Sequence, residues 1–325
     1  MMINGKTTIC GIFGCPVGHS LSPAMHNAAF ASLGLNWVYL PFEVGPKGLP
    51  AAVEAVRALN MAGVNVTVPH KQQAAALVDQ LSPAAGLSGA VNTIVNRGGV
   101  LHGHNTDGEG FLRALEEEAG LRAEAGPALI LGAGGAARAV AAALALNGSP
   151  EIIVANRTPE KAAQLSELIR NRTGCRASAL TWPAGPGQGG PGEGDWASVL
   201  ARASLVVQTT PLGMGPGAEG TPPLPFDLLN PGQVVVDLIY NPACTTFMNR
   251  CQAAGARVFN GLGMLLHQGA AAFELWTGRQ APLAVMRDAL KQNIQVRRQE
   301  TGDRRQETGG GWRVVLIVLS LGTSG

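Results

Sequence analysis

A glycine turn between an apolar strand pattern and an alanine-rich helix pattern constrains the fold more than any other stretch of the chain. The apolar run ends at Leu131, the helix pattern continues to Leu146, and the turn consists of Gly132, Ala133, Gly134, Gly135 and Ala136. Glycine lets the backbone approach a pyrophosphate, and the free N–H groups at the start of the helix attract its charge. Similar turns also occur in strand–helix connections that bind no ligand. The pattern favours a dinucleotide site in a doubly wound fold.

A second segment, about twenty residues further on, indicates the type of dinucleotide. Asn156, Arg157 and Thr158 follow an apolar run, at the place where a doubly wound fold contacts the adenine ribose. A carboxylate at this place favours a free 2′-hydroxyl, whereas an arginine favours a 2′-phosphate. The sequence therefore predicts that the chain binds NADP rather than NAD.

Composition limits the classes of protein to which the chain can belong. It has 325 residues, of which 46% are hydrophobic, and a formal net charge of +2. From residue 297 onward five arginines stand against three acidic residues, so the rest of the chain is near neutral. A neutral body argues against nucleic acid and against a membrane surface as partners. The composition predicts a soluble α/β protein with two domains.

Cysteine and histidine usage predicts a cytoplasmic protein without a metal site. The five cysteines form no CxxC pair and no secretory signal precedes them, so reduced thiols are expected. Among the six histidines, His102 and His104 flank a glycine, but no further metal ligand lies at a suitable spacing.

Two series of alternating strand and helix patterns divide the chain. The first ends at the break formed by residues 105–108, and the second begins at Ala128. Residues 183–194 are almost wholly Gly and Pro with Gln and Glu, which predicts a flexible surface loop. Two helix patterns, Leu262–Trp276 and Pro282–Gln295, close the fold. Residues 297–303 are repeated almost perfectly in 304–309, which predicts a disordered tail without selected structure.

Polar side chains gather where strands of the first series end. They are Ser20, Ser22, Asn65, Thr67, Lys71, Asn92 and Asp107. Because ligands bind beyond the carboxyl ends of strands in open α/β sheets, this set indicates a small, multiply hydroxylated carboxylate as ligand. The alternatives are that Ser22 and Asp107 are helix N-caps and that Lys71 is a solvated surface charge.

Taken in order, these motifs resemble the shikimate dehydrogenase family, whose members are NADP-linked enzymes of aromatic amino-acid biosynthesis. The resemblance covers about residues 7 to 295. It depends on residues 18–27, 65–71, 89–93, 105–108, the glycine turn, 156–158, 237–242 and 260–269. It implies reversible reduction of 3-dehydroshikimate to shikimate, with NADP as cofactor and a small molecule as the only obligatory partner.

The resemblance also implies a role for individual residues. Lys71 and Asp107 are expected to form the catalytic pair. The residues expected to hold the substrate are Ser20, Ser22, Asn65, Thr67, Asn92, Tyr240 and Gln268. The residues expected around the cofactor are Gly132, Ala133, Gly134, Gly135, Ala136, Asn156, Arg157, Thr158, Lys161, Leu238 and Gly261. Lys161 replaces a second arginine of some relatives, which weakens the expected 2′-phosphate clamp by one bidentate contact.

The expected architecture is a two-domain α/β fold with a cleft between the domains. Residues 1–107 form a substrate-binding α/β domain, 108–262 a doubly wound Rossmann NADP domain, and 263–296 helices that pack back on the first domain, followed by the tail 297–325. Two other functions fit the residues: a quinate/shikimate dehydrogenase of broader substrate or cofactor range, and a non-catalytic paralogue that senses the metabolite. The sequence leaves the oligomeric state open, with a homodimer as one hypothesis.

Overall fold

A computed structural model describes residues 3–182, 193–215 and 220–294 of the chain, with the backbone alone at 193–195. The tail 297–325 and most of the predicted loop 183–194 lie outside the described residues. The last two residues of that loop are helical instead, because a helix begins at Glu193. Within the described ranges, no helix combines the length and the apolar character that a membrane crossing requires.

The first part of the chain forms a six-stranded mixed sheet. Its strands are β1 (Thr8–Gly14), β2 (Trp37–Glu43), β3 (Gly63–Val66), β4 (Gln80–Leu81), β5 (Thr93–Arg97) and β6 (Val100–His104). The strand order is β2-β1-β3-β5-β6-β4, and β5 runs antiparallel to both of its neighbours. The β5–β6 hairpin turns at Gly98 and Gly99, whose φ angles of 61° and 91° suit glycine in a two-residue primed turn.

The second part forms a six-stranded parallel sheet. Its strands are β7 (Ala128–Leu131), β8 (Glu151–Asn156), β9 (Arg176–Thr181), β10 (Leu205–Gln208), β11 (Val234–Asp237) and β12 (Arg257–Asn260). The order β12-β11-β10-β7-β8-β9 reverses direction between β7 and β10. This is the strand order of doubly wound dinucleotide-binding folds, and ligands bind at such a reversal. The predicted fold class is confirmed.

Helices cover both sheets. They are α1 (Ser22–Ser32), α2 (Leu49–Ala58), α3 (Lys71–Ala75), α4 (Pro83–Ser88), α5 (Asp107–Ala114), α6 (Gly135–Leu146), α7 (Pro159–Thr173), α8 (Glu193–Arg202), α9 (Thr246–Ala253), α10 (Leu262–Thr277) and α11 (residues 283–294). A π-helical turn, Leu115–Ala119, extends α5. No sequence pattern predicts helices α4, α8 and α9 or strands β4, β9 and β12, which are short and carry weak periodicity.

Helix α10 leads from the second sheet back to the first. It packs closely on α5, since a Cβ atom added at Gly110 would lie 2.5 Å from the backbone nitrogen of Gln268. At its other end, the indole Nε1 of Trp276 donates to the backbone oxygen of Ile94 in β5, at 3.0 Å. The helix therefore belongs to the hydrophobic core of the first sheet. The bounds predicted for the four segments of the chain, 1–107, 108–262, 263–296 and 297–325, stay a prediction.

Candidate active site

A cleft of about 230 Å³ lies between the two sheets, at the carboxyl ends of their strands. All nine residues that were expected to bind or convert the substrate line this cleft: Ser20, Ser22, Asn65, Thr67, Lys71, Asn92, Asp107, Tyr240 and Gln268. Three of the expected cofactor residues join them from the second sheet: Ala136, Leu238 and Gly261. The fold therefore brings side chains from both ends of the chain to one place.

Lys71 and Asp107 face each other in the cleft. The ammonium Nζ of Lys71 lies 2.6 Å from Oδ2 of Asp107, and the two side chains are 23% and 8% exposed. Both residues open a helix, α3 and α5 respectively. The interpretation of Lys71 as a solvated surface charge is wrong, because the lysine is directed at a buried carboxylate rather than into solvent. The pair is an ammonium that can give a proton and a carboxylate that orients it.

Asn92 holds the second oxygen of this carboxylate. Its side-chain nitrogen donates to Oδ1 of Asp107 at 2.8 Å and to Oγ1 of Thr106 at 3.0 Å, and its oxygen accepts from the backbone N–H of Thr106. The backbone N–H of Asp107 in turn donates to Oδ1 of Asn105 at 3.1 Å. Asp107 therefore is not an N-cap, since its two oxygens bind Asn92 and Lys71 and leave the first-turn amides of α5 alone.

Ser20 lies just before α1 and Ser22 is its first residue, and neither serine caps this helix. Oγ of Ser20 accepts the backbone N–H of Ser22 at 3.2 Å, whereas the N-cap position of α1 is Leu21 and no side chain caps the helix. The interpretation of Ser22 as the N-cap is wrong. Its side chain instead lies next to the hydroxyl of Tyr39, on whose pKa it has a lowering effect. Both serines line the cleft, so each remains available to a ligand hydroxyl.

Asn65 and Thr67 enter the cleft from the end of β3. The strand ends at Val66, and the exposed Val68 lies beyond it. Asn65 is buried, and its side-chain nitrogen donates to Oγ1 of Thr93 at 3.0 Å and to the backbone oxygen of Asn92 at 3.2 Å. Both of its hydrogens are therefore used within the protein, and its oxygen accepts a hydrogen bond from the hydroxyl of Tyr39 at 2.8 Å.

Gln268 reaches the site from α10. Its Nε2 donates to the backbone oxygen of Leu265 at 2.9 Å, and its Oε1 lies 3.5 Å from the nitrogen of Asn92. Tyr240 lies in the loop after β11, whose first turn is held by Asp237. The carboxylate of Asp237 accepts from Oγ1 of Thr245 at 2.6 Å and from a backbone N–H, and burial raises its pKa to about 6. Asp237 belongs to the motif 237–242, whereas Thr245 lies in none of the motifs found in the sequence.

The glycine turn of the second sheet fits a pyrophosphate. Gly132 has a φ of 116°, and a Cβ atom there would lie 2.5 Å from Oγ1 of Thr209, so only glycine suits this position. The N-cap of α6 is Gly134, and no side chain occupies the free amides that follow it. Cβ atoms at Gly134 and Gly135 would meet nothing within 4 Å. Open space and free amides at a helix N-terminus are what an anionic ligand needs.

The segment expected to contact the adenine ribose lies at the end of β8. Asn156 ends the strand and donates from Nδ2 to the backbone oxygen of Thr158 at 3.0 Å, which shapes the turn into α7. Arg157 and Lys161 are exposed on this turn and on the first turn of α7. Two cations there suit a 2′-phosphate. None of these residues lines the cleft that contains Lys71, as expected for the far end of a long cofactor.

Some residues that organise the site carried no signal of their own in the sequence. Tyr39, Thr93 and Thr106 each hydrogen-bond a residue of the cleft, yet each lies in a pattern that reads as ordinary strand or loop. Only their partners in space identify them. The described part of the chain contains no group of His, Cys, Asp and Glu side chains suited to a metal ion. The five cysteines are free thiols.

A doubly wound sheet that offers helix amides at its reversal point, beside a lysine positioned to give a proton, is typical of a dinucleotide-dependent dehydrogenase. Family models agree. Residues 12–94 match the shikimate dehydrogenase substrate binding domain, 115–181 the shikimate/quinate 5-dehydrogenase model, and 261–291 the shikimate 5′-dehydrogenase C-terminal domain. The chain belongs to the shikimate dehydrogenase family.

Individual relatives match over nearly their whole length. The shikimate dehydrogenase (NADP(+)) of Desulforamulus reducens is 52% identical over 292 residues, which is 90% of this chain and 97% of the relative. The crystal structure of the Listeria monocytogenes shikimate 5-dehydrogenase with shikimate and NAD has a TM-score of 0.82 and 40% identity, covering 89% of this chain and 98% of that one. The Thermus thermophilus enzyme with NADP(H) and shikimate has a TM-score of 0.75 and 40% identity, covering 88% and 99%.

Proposed function

We propose that this chain catalyses the reversible, NADP-dependent reduction of 3-dehydroshikimate to shikimate, a step of aromatic amino-acid biosynthesis. The contact between Lys71 and Asp107 carries the proposal, because it places a proton donor and its orienting carboxylate in a cleft lined by hydroxyl and amide groups. Such a lining suits a substrate with several hydroxyls.

Lys71 acts on the oxygen that changes between ketone and alcohol. When the carbonyl carbon is reduced, negative charge grows on the oxygen, and the ammonium of Lys71 stabilises this charge and donates a proton. In the direction of shikimate oxidation, the neutral amine of Lys71 takes the proton from the hydroxyl. Asp107 keeps the amine aimed at the reacting oxygen and shares the adjacent substrate hydroxyl, while Asn92 keeps the carboxylate in place.

The other polar groups of the cleft orient the substrate. We assign Ser20 and Ser22 to its carboxylate end, because both residues line the cleft at the start of α1 and a serine hydroxyl can donate to an anion. Asn65, Thr67, Tyr240 and Gln268 complete the set, from β3, the residue after it, the β11 loop and α10. Holding the ring in one orientation converts proton transfer into a reaction within a single complex, which lowers its entropic cost.

The second sheet holds the cofactor. When bound, NADP supplies or accepts the hydride. The turn from Gly132 to Ala136 binds its pyrophosphate with the amides of α6. Arg157, assisted by Asn156, Thr158 and Lys161, binds its 2′-phosphate. Leu238 and Gly261, which line the cleft beside the substrate groups, form the wall for its nicotinamide ring.

An assay of nicotinamide absorbance tests the proposal against its alternatives. The purified chain is incubated with shikimate or quinate, and with NADP or NAD, in four combinations. Rapid reduction of NADP with shikimate, at rates well above the other three, is expected. Comparable rates with quinate or NAD would assign the chain to the broader quinate/shikimate class, and shikimate binding without turnover would identify a metabolite sensor.

The surroundings of the enzyme are part of the proposal. Five free thiols suit the reducing cytoplasm, which we infer as its compartment. A homodimer remains a hypothesis, and sedimentation equilibrium of the full chain across a concentration series measures the assembly state directly.

A further inference from the structure

We propose that Tyr39 is a positioning residue for the substrate, which holds Ser22 and Asn65 in their binding orientations and is itself held by His26 and Asn27. The proposal rests on the proposed function, because it concerns how the same cleft binds shikimate. Tyr39 lies in β2, beneath the cleft, and is not among the residues that line it. Its effect on the substrate is therefore exerted through the two residues that it contacts.

The hydroxyl of Tyr39 connects two walls of the cleft. It donates to Oδ1 of Asn65 at 2.8 Å, and it lies next to the side chain of Ser22, which has a smaller, lowering effect on the pKa of the tyrosine hydroxyl. Tyr39 is 1% exposed, and burial raises the pKa of its hydroxyl well above the usual value, so the group stays a hydrogen donor. Without this hydroxyl, Asn65 keeps both amide hydrogen bonds but loses the contact that orients its oxygen.

The backbone of Tyr39 is fixed by a residue of α1. Strand β2 lies at the edge of the sheet, so among the described residues no strand neighbours the outer side of its backbone. Asn27 takes the place of one. Its Nδ2 donates to the backbone oxygen of Tyr39, and its Oδ1 accepts the backbone N–H, both at 2.9 Å. These two hydrogen bonds fix the position of Tyr39 relative to Ser20 and Ser22 at the start of α1.

The ring of Tyr39 is fixed by His26, one residue earlier in α1. The two rings are stacked, with centroids 4.5 Å apart and planes 6° from parallel. His26 is fully buried, and neither of its ring nitrogens has a hydrogen-bond partner among the described residues. Burial lowers its pKa to about 3, so the ring is neutral and acts as a flat packing surface. Trp276 of α10 packs beside the same pair.

This arrangement explains why the motif at residues 18–27 includes His26 and Asn27, which do not line the cleft. Ser22, His26 and Asn27 lie on one helix, and all three contact Tyr39. The side chain of Ser22 lies next to the tyrosine hydroxyl, the ring of His26 stacks on the tyrosine ring, and the side chain of Asn27 binds the tyrosine backbone. Ser20 and Ser22 line the cleft, whereas His26 and Asn27 do not. The helix therefore sets the distance between the serines and the end of β3, where Asn65 and Thr67 lie.

The test compares Tyr39→Phe with wild type, measuring KM for shikimate, KM for NADP and kcat, and the Kd of shikimate by calorimetry. We expect KM and Kd for shikimate to rise about tenfold, since a tenfold change corresponds to about 1.4 kcal/mol, the size of one buried hydrogen bond. KM for NADP and kcat should stay within about twofold. His26→Phe, which keeps a ring, should retain shikimate KM within about twofold, and His26→Ala should match Tyr39→Phe.

Asn96→Ala serves as the matched control. Asn96 lies in β5 of the same sheet, donates to the backbone oxygens of Val56 and Met61, and does not line the cleft. The Asn96→Ala substitution should lower the melting temperature and leave the KM for shikimate unchanged. An unchanged shikimate KM in Tyr39→Phe, or an equal rise in both Michaelis constants, overturns the inference while the proposed function stands. A shikimate KM raised equally by Asn96→Ala also overturns it. A wild-type chain that neither binds nor oxidises shikimate refutes the proposed function itself.

Discussion

Replacing Lys71 by methionine removes the ammonium and keeps a side chain of similar length. A single general acid–base group contributes about 10²–10⁴-fold to turnover, which corresponds to about 3 to 5 kcal/mol of activation free energy. We expect kcat of Lys71→Met to fall within this range. The Kd of shikimate should change by less than about tenfold, because the hydroxyls and amides that line the rest of the cleft remain.

The structure also predicts the effect of this substitution on folding. Asp107 keeps its hydrogen bond from Asn92 but loses its contact with the ammonium, so one buried carboxylate oxygen is left without its partner. The expected cost is about 1 to 3 kcal/mol of unfolding free energy. Activity is therefore measured well below the melting temperature of the variant, and circular dichroism checks that it is folded. Lys47→Met, at an exposed lysine in the turn before α2, is the matched control.

A double-mutant cycle separates a catalytic pair from two independent residues. Asp107→Asn keeps the shape of the side chain and an oxygen, but removes the charge that orients Lys71. Since the two groups act as one unit, the double variant should lose about as much turnover as the worse single variant. Turnover of Lys71→Met within about tenfold of wild type, with shikimate binding intact, would refute the assignment of the proton donor.

Three further changes test other parts of the molecule. Arg157→Gln should raise KM for NADP by about tenfold or more, with KM for shikimate unchanged, because a guanidinium–phosphate contact is lost; steady-state kinetics with both substrates measures this. Asp237→Asn should flatten the dependence of stability on pH. Burial raises the pKa of Asp237 to about 6. The unfolding free energy of wild type should therefore fall by about 3 kcal/mol relative to that of the variant as the pH rises from about 4 to above 6. Urea unfolding across that pH range measures this difference. A loss of stability in the opposite direction would contradict the buried position of the carboxylate. Gly110→Ala should lower the unfolding free energy by about 1 to 3 kcal/mol, because the added methyl group would press on the backbone of Gln268. A melting temperature equal to that of wild type would rule out this close packing of α5 and α10.

Much of the fold could be predicted because its signals are local. The glycine turn, the helix over Gly135–Leu146 and the strands on either side of it depend on neighbouring residues, and their observed bounds agree with the patterns. Strand β9 and helix α9 escaped prediction because their short, mixed sequences have no clear period. Their conformation comes from pairing and packing with β8 and β11.

The candidate site shows the same division between chemistry and geometry. The order of amino acids already specifies which groups are available: a lysine, a carboxylate and a series of hydroxyls and amides at the ends of strands, with an arginine where a 2′-phosphate would lie. Each of these is a property of a residue and its immediate neighbours. The family could be recognised for the same reason, because its motifs are short and contiguous.

Which of these groups meet depends on the packing of the folded chain. Lys71 and Asp107 are 36 positions apart, and Asn92 and Gln268 are 176 apart, so no local pattern specifies their contact. The same holds for Tyr39, whose hydroxyl bond to Asn65 joins two strands and gives an ordinary strand tyrosine its place beneath the cleft. A hydrogen bond needs both partners within about 3 Å and correctly aligned, and that requirement is satisfied only when the sheets and helices have packed.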